Sequence, residues 1–183
     1  SSKLLEINID KAQKHYSEKL LLSDYLPMYY SRPKINKIND SDLSSNKIYS
    51  CPQTLFKLHP DFDEIIYGIL KEDKKANFYL IKGKEISFEK KIYNRLLKKI
   101  PNQIDRVHFL DKMSTEEYIN HCGRASVLLD PFYFGAGNSF HESMFYGTQT
   151  VTMPTEFMRS KIVEGAYKQM KIKKPPVVKN INE

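Results

Sequence analysis

The sequence predicts an α/β fold: a Rossmann-like parallel sheet with helices on both faces, preceded by a fragment of another domain. Three observations predict it. From Ile48 onward, short runs rich in β-branched and aromatic residues alternate with segments whose apolar residues recur at helical spacing. The run Val127-Leu128-Leu129 stops at Asp130, passes a loop holding Gly135 and Gly137, and re-enters helical spacing at Phe140, Met144 and Phe145. Before all this, residues 31–47 shift to Pro, Asn, Asp, Ser and Lys, the composition of a linker. We therefore expect residues 1–45 to be the tail of one domain plus a linker, and residues 46–183 to form a second.

In chain order, a helix is expected over Ile9 to Leu22, opened by an Asp10 to Gln13 capping arrangement. Strands follow at Ile48 to Ser50, Asn77 to Ile81, Arg106 to Leu110 and Gln149 to Met153. The helices between and after them run over Asp61 to Leu70, Phe88 to Ile100, Ser114 to His121 and Phe157 to Met170. Phe62, Ile65, Ile66, Ile69 and Leu70 share one helical face, which marks the buried side of that helix. Ser114 and Glu117 have capping-box spacing. Strands alternating with helices of this length imply a parallel sheet, whose ligands bind beyond the carboxyl ends of the strands. Lys57, Met113 to Tyr118, and Asp130 to Glu142 all follow such ends and are expected to converge.

Composition narrows the class. With 40% hydrophobic and 28% charged residues, most of the chain is expected to be globular. No apolar run reaches the ~20 residues of a membrane span, so no membrane partner is implied. No secretory signal opens the chain, and its start, Ser1-Ser2-Lys3-Leu4-Leu5-Glu6, reads as a cut inside a longer protein. The two cysteines, Cys51 and Cys122, have no metal-binding pattern; with the missing signal they suggest a reducing, cytoplasmic setting. A net charge of +7 permits nucleic-acid binding, but the lysines lie along amphipathic helical segments, which makes a solvated face the simpler account.

The candidate chemistry has two faces at each position. Gly137, Asn138 and Ser139 stand where helix N-terminal amides favour an anion, phosphate above all. Equally, Ser139 and Glu142 have the spacing of a capping box that binds nothing. Lys57 suits a diphosphate or is merely exposed, and Tyr118 suits a stacked base or a core contact. Asp61 and Asp63 form a D-x-D pair, better explained by a helix start than by a metal. The five histidines show no metal-ligand spacing, and no metal is expected.

These residues also carry a resemblance. The segments His15-Tyr16-Ser17-Glu18-Lys19-Leu20, Cys51-Pro52-Gln53-Thr54-Leu55-Phe56-Lys57-Leu58-His59-Pro60-Asp61-Phe62-Asp63, Leu129-Asp130-Pro131-Phe132 through Asn138-Ser139-Phe140-His141-Glu142, and Gly147-Thr148-Gln149-Thr150-Val151-Thr152-Met153-Pro154 run in one order. In that order the chain resembles the C-terminal catalytic region of the protein O-linked N-acetylglucosamine transferases, in particular their bacterial SPINDLY-like branch, which are GT-B glycosyltransferases. The resemblance implies an inverting, metal-independent transferase moving N-acetylglucosamine from UDP-N-acetylglucosamine to Ser or Thr hydroxyls, with no cofactor beyond the donor substrate. It implies that Lys57 contacts the diphosphate, Asn138 and Ser139 cradle it beside Gly137, Glu142 holds the ribose, and Tyr118 faces the uracil with His121 and Met113 bordering. It also implies that the acceptor protein is bound by regions N-terminal to this chain, and that the chain alone is inactive. Another donor such as GDP-fucose, a glycan acceptor, or a non-catalytic basic nucleotide- or nucleic-acid-binding module are the rival readings. The face turned to the missing domain is expected to be apolar and to promote self-association, which a clean monomer in sedimentation would contradict.

Overall fold

The structure, a computed structural model, describes residues 1–6, 8–36 and 47–183. Its helices are α1 (Ile9–Gln13), α2 (Phe62–Glu72), α3 (Ile86–Lys99), α4 (Thr115–Arg124), α5 (Asn138–Ser143) and α6 (Ile162–Gln169). Its strands are β1 (Lys47–Cys51), β2 (Ala76–Ile81), β3 (Val107–Leu110), β4 (Val127–Leu129) and β5 (Thr150–Val151). They form one sheet in the order β3-β2-β1-β4-β5, and every neighbouring pair is parallel.

Strand periodicity sends alternate residues to opposite faces. Along β2, Ala76, Phe78 and Leu80 are buried and enter the largest apolar cluster with Phe62, Ile66 and Leu70 of α2 and Ile92 and Leu96 of α3. On the other face, Ile48 of β1 and Leu128 of β4 pack against Tyr118 and Cys122 of α4. Both faces are covered, as the alternating pattern predicts. A third cluster joins α5 and α6 to the N-terminal segment through Leu5 and Leu26.

Polar groups fix the ends of these elements. The guanidinium of Arg106 donates to the carbonyls of Leu70, Asp73 and Ala76, closing the C-terminus of α2 where the last carbonyls lack helical partners. The capping box expected at Ser114 and Glu117 is present. Asp63 sits almost buried in α2, and Arg95 of α3 grips both its oxygens at 2.5 and 2.9 Å. Burial pushes the Asp63 carboxyl up, while the guanidinium opposes that.

Three expectations about element extent need correction. The first helix ends at Gln13 rather than Leu22, because the Gln13 side chain turns back to the chain that follows, donating to the Glu18 carbonyl at 2.7 Å and accepting from the Leu20 amide at 2.8 Å. Its cap is Asn8, whose Oδ1 accepts from Lys11 N, so the Asp10 to Gln13 arrangement does not form. The last helix begins at Ile162 rather than Phe157: the Ser160 hydroxyl donates to the Phe157 carbonyl and accepts from Thr155 N, holding a 3-10 turn over Met158–Ser160. Finally, β5 stops at Val151 since Thr152 leaves β4 and pairs instead with residues 176–178. The expected boundary near residue 45 lies outside the described residues.

Because Asp63 has lost most of its water, removing Arg95 leaves a buried carboxylate without its partner. Arg95→Ala is expected to lower stability by about 3 kcal/mol, measured by urea unfolding. An effect below 1 kcal/mol would show that the pair contributes little.

Candidate functional site

The strand order reverses direction of growth at β1, which has β2 on one side and β4 on the other. Loops leaving β1 and β4 therefore part in opposite directions and open a crevice at the carboxyl edge of the sheet. A cleft of about 640 Å³ lies there. Its walls come from the loops after four strands: Pro52 to Lys57 after β1, Lys82 to Lys84 after β2, Lys112 and Met113 after β3, and Phe134 to Ser139 after β4. Tyr118 and Glu142 close it from α4 and α5.

Lys57 is its best-defined group. A 3-10 turn over Leu55–Lys57 buries Leu55 and turns Lys57 inward, half-buried. Its ammonium donates to Gln53 Oε1 and to the Gly135 carbonyl, both at 3.0 Å, and stands 4.6 Å from the centre of the Phe134 ring. Burial pulls this lysine below its ordinary range, and the Asp130 carboxylate works in the opposite sense. Gln53, itself buried, spans the crevice: its amide donates to Ser139 Oγ at 2.8 Å. The loops after β1 and β4 are thus tied by Lys57 to Gly135 and by Gln53 to Ser139.

Those bonds exclude the capping box at Ser139 and Glu142. No capping box forms at α5: its N-cap, Gly137, makes no side-chain cap bond, Ser139 receives Gln53, and Glu142 accepts a hydrogen bond from the Tyr30 hydroxyl. Desolvation and that carboxylate push the Tyr30 phenol up to about 12. The Tyr30 ring also stacks on His141 at 5.8 Å and 14°.

Of the residues singled out from sequence, Lys57, Tyr118, Gly137, Asn138, Ser139 and Glu142 line the cleft, with Met113 beside them. Tyr118 is tethered, its hydroxyl donating to the Pro52 carbonyl at 3.2 Å, and its ring also packs on Cys122. His121 is elsewhere. It lies a turn deeper along α4, with Nε2 2.9 Å from Ser50 Oγ and its ring edge-on to Tyr79 at 5.9 Å. Burial and the nearby Arg124 push His121 down to about 4. The D-x-D pair lies outside the cleft: Asp61 accepts from Tyr133 at 2.7 Å and Asp63 is held by Arg95. Sequence reasoning missed Gln53 as a bridge and the lysines Lys82, Lys84 and Lys112. Applying the strand-end rule to the loop after β2 finds Lys82 and Lys84.

No protein-family model and no curated protein sequence matches this chain. Solved structures do. A lysine-to-methionine mutant of O-GlcNAc transferase from Thermobaculum terrenum superposes with a TM-score of 0.77 at 15% identity, over 94% of this chain and 33% of that one. A trehalose-6-phosphate enzyme structure from E. coli bound with UDP-2-fluoro glucose gives 0.53 at 11% identity, over 78% and 34%. The UDP-forming trehalose-phosphate synthase from Burkholderia xenovorans gives 0.51 at 11%, over 79% and 35%. The chain shares the Rossmann-like α/β fold of these structures. It spans about a third of the length of these proteins. Among the described residues no helix is long and apolar enough to cross a membrane. In this Rossmann-like unit the cleft sits at the strand ends, where the topology requires it.

His121 makes the environment beneath the cleft measurable. Folding lowers its proton affinity, so its contribution to stability is full above the unfolded value of about 6.5 and is lost as pH falls toward 4. Its ring C–H resonances in proton NMR are expected to titrate with a midpoint near pH 4. A midpoint near 6.5 would place the ring in solvent.

Proposed function

We propose that the chain is the nucleotide-sugar-binding part of an inverting glycosyltransferase, taking UDP-N-acetylglucosamine as donor and protein Ser or Thr hydroxyls as acceptor. One observation carries this reading: a half-buried lysine, oriented by Gln53 and Gly135, stands in the wall of a cleft at the switch point of a parallel sheet. The family resemblance of the sequence and the nucleotide-sugar enzymes among the structural neighbours point the same way.

In the transfer, an acceptor hydroxyl oxygen attacks the anomeric carbon from the face opposite the diphosphate while its proton passes to a general base. The bond from that carbon to the phosphate oxygen breaks, its electron pair stays on the departing UDP, and configuration inverts. Negative charge grows on the diphosphate as the bond lengthens. Lys57 is the group we assign to offset it, a role whose removal typically costs about 3 kcal/mol of barrier. Asn138 and Ser139, in the first turn of α5, flank the diphosphate, and Gly137 lets it approach. The helix is only six residues long, so the lysine rather than the helix dipole carries most of the stabilisation. Glu142 accepts the ribose hydroxyls, and Tyr118 borders the base.

Transfer without a metal is part of the same reading. Both carboxylates of the D-x-D pair are bonded to other side chains away from the cleft. The cleft lining carries lysines Lys57, Lys82, Lys84 and Lys112 against the one carboxylate of Glu142, a balance suited to a diphosphate and poor for a divalent cation. Protein acceptors and the general base lie, in this reading, outside the residues that line the cleft.

Calorimetric titration with UDP, GDP and UDP-N-acetylglucosamine, with and without Mg²⁺, tests the proposal. UDP is expected to bind without metal and to lose about 2 kcal/mol of affinity in Lys57→Ala, with a smaller loss in Glu142→Ala. Preference for GDP would move the donor assignment. Salt-sensitive binding of long polyanions that ignores Lys57→Ala would replace the transferase with a basic binding module.

A further inference from the structure

Asp130 takes no part in the function proposed above, yet the loop that faces Lys57 is built around it. It follows the last residue of β4 and is 4% exposed. One carboxylate oxygen accepts the Ala136 amide at 2.6 Å, and the other accepts the Thr152 hydroxyl at 2.7 Å. Between them the chain closes tightly on the carboxylate: a Cβ added at Gly135 would stand 2.8 and 3.0 Å from its two oxygens, so only glycine fits there. The carbonyl of the same Gly135 receives the Lys57 ammonium, and the preceding Phe134 presents its ring to that ammonium.

We propose that Asp130 is a positioning residue for Lys57: its carboxylate pins residues 131–136 so that Gly135 and Phe134 hold the ammonium at the cleft wall. Asp130 acts at two levels. Through the Ala136 amide it fixes where the Gly135 carbonyl points, and through its charge it favours the protonated lysine that burial disfavours. The carboxylate itself is pushed up to about 6 by burial, and its bonds to Ala136 and Thr152 oppose that. The other titratable groups around it are the Cys51 thiol, pushed up by burial, and the Tyr167 phenol of α6, whose hydroxyl is bonded to the backbone of Thr150. Cys51 is therefore neutral beside the pair, and Asp130 is the anion that Lys57 experiences.

Two variants of the full chain separate this role from plain packing. Asp130→Asn keeps the shape and removes the charge; Gly135→Ala keeps the charge and forces the loop off the carboxylate. The titration of Lys57 is read from its Cε resonance in ¹³C-lysine-labelled protein, assigned with Lys57→Arg, and UDP affinity from calorimetry at pH 7.5. Folded Asp130→Asn is expected to titrate Lys57 about one pH unit lower and to bind UDP about tenfold more weakly. Gly135→Ala is expected to shift both in the same directions. A folded Asp130→Asn with the Lys57 titration and UDP affinity of the parent would overturn the proposal; if that variant does not fold, an unchanged Lys57 resonance in Gly135→Ala overturns it. The inference rests on the nucleotide reading only for its affinity arm. Should the parent chain bind no UDP, that reading fails, and the Lys57 titration alone decides the role of Asp130.

Discussion

The bond from the Lys57 ammonium to the Gly135 carbonyl is the constraint on which the site depends. Parallel strands diverge where the order switches, and the loops after β1 and β4 have no ladder to hold them together. Two side chains from one loop, Lys57 and Gln53, replace the missing ladder by reaching Gly135 and Ser139 across the gap. A crevice with no such ties would close under its own apolar lining or remain undefined in width. The group that joins the loops is also the half-buried cation of the cleft wall, the one to which the proposed function assigns the charge of a leaving diphosphate. The same ammonium faces the Phe134 ring, whose negative π face adds attraction without a competing anion.

Charge burial around this tie works against stability at neutral pH. Asp130 binds its proton more readily folded than unfolded, so its contribution is full below about pH 4 and declines as pH rises through about 6. Lys57, shifted the other way, loses stability while charged. His121, with its lowered proton affinity, has the opposite pH dependence to Asp130 over much of the same range. The two slopes offset one another, so a flat acid limb in a global unfolding curve is compatible with large individual shifts. The fold can bear these costs because the apolar cluster between the sheet and α2 and α3 is extensive and shares no residue with the cleft lining.

The α/β architecture was legible because helix and strand segments differ in pattern. Phe62, Ile66 and Leu70 recur every four residues, whereas Phe78 to Ile81 is a short continuous run of aromatic and aliphatic residues, so helix and strand could be told apart over the very segments that form the core. The ends of elements were less legible. Leu20 to Leu22 and Phe157 to Met158 are apolar enough to prolong a helical pattern, and what stops the helices is side-chain bonding by Gln13 and Ser160, which no period reveals. At the site, loop residues following strand ends were found by rule. His121, which the resemblance set at the border of the base pocket, is not in the cleft lining: three residues beyond Tyr118 is about 4.5 Å of rise along α4, and its ring meets Ser50 of the sheet instead. Asp130 was expected only as the start of a stretch converging on the crevice, and its bonds were not legible, since its partners Ala136 and Thr152 become neighbours through tertiary closure of the loop.

The N-terminal segment belongs to the site by the same logic of closure. Gly165 of α6 allows Leu5 and Leu26 to lie directly on the helix backbone; a Cβ there would meet their methyl carbons at 3.1 and 3.2 Å. That close packing brings the following residues over α5, where Tyr30 stacks on His141 and bonds to Glu142, 112 positions away in sequence. Glu142 is the one acidic side chain lining a cleft of lysines, and left free it has Lys57, Lys82, Lys84 and Lys112 as competing partners. A neutral phenol neutralises none of its charge and fixes its direction. The bond holds one carboxylate oxygen, Oε1, and leaves Oε2 as a further acceptor at the cleft lining. Residues before the linker thus orient a side chain of α5, and the direction of the one carboxylate in the cleft lining is a tertiary property of the chain rather than of the motif that contains Glu142.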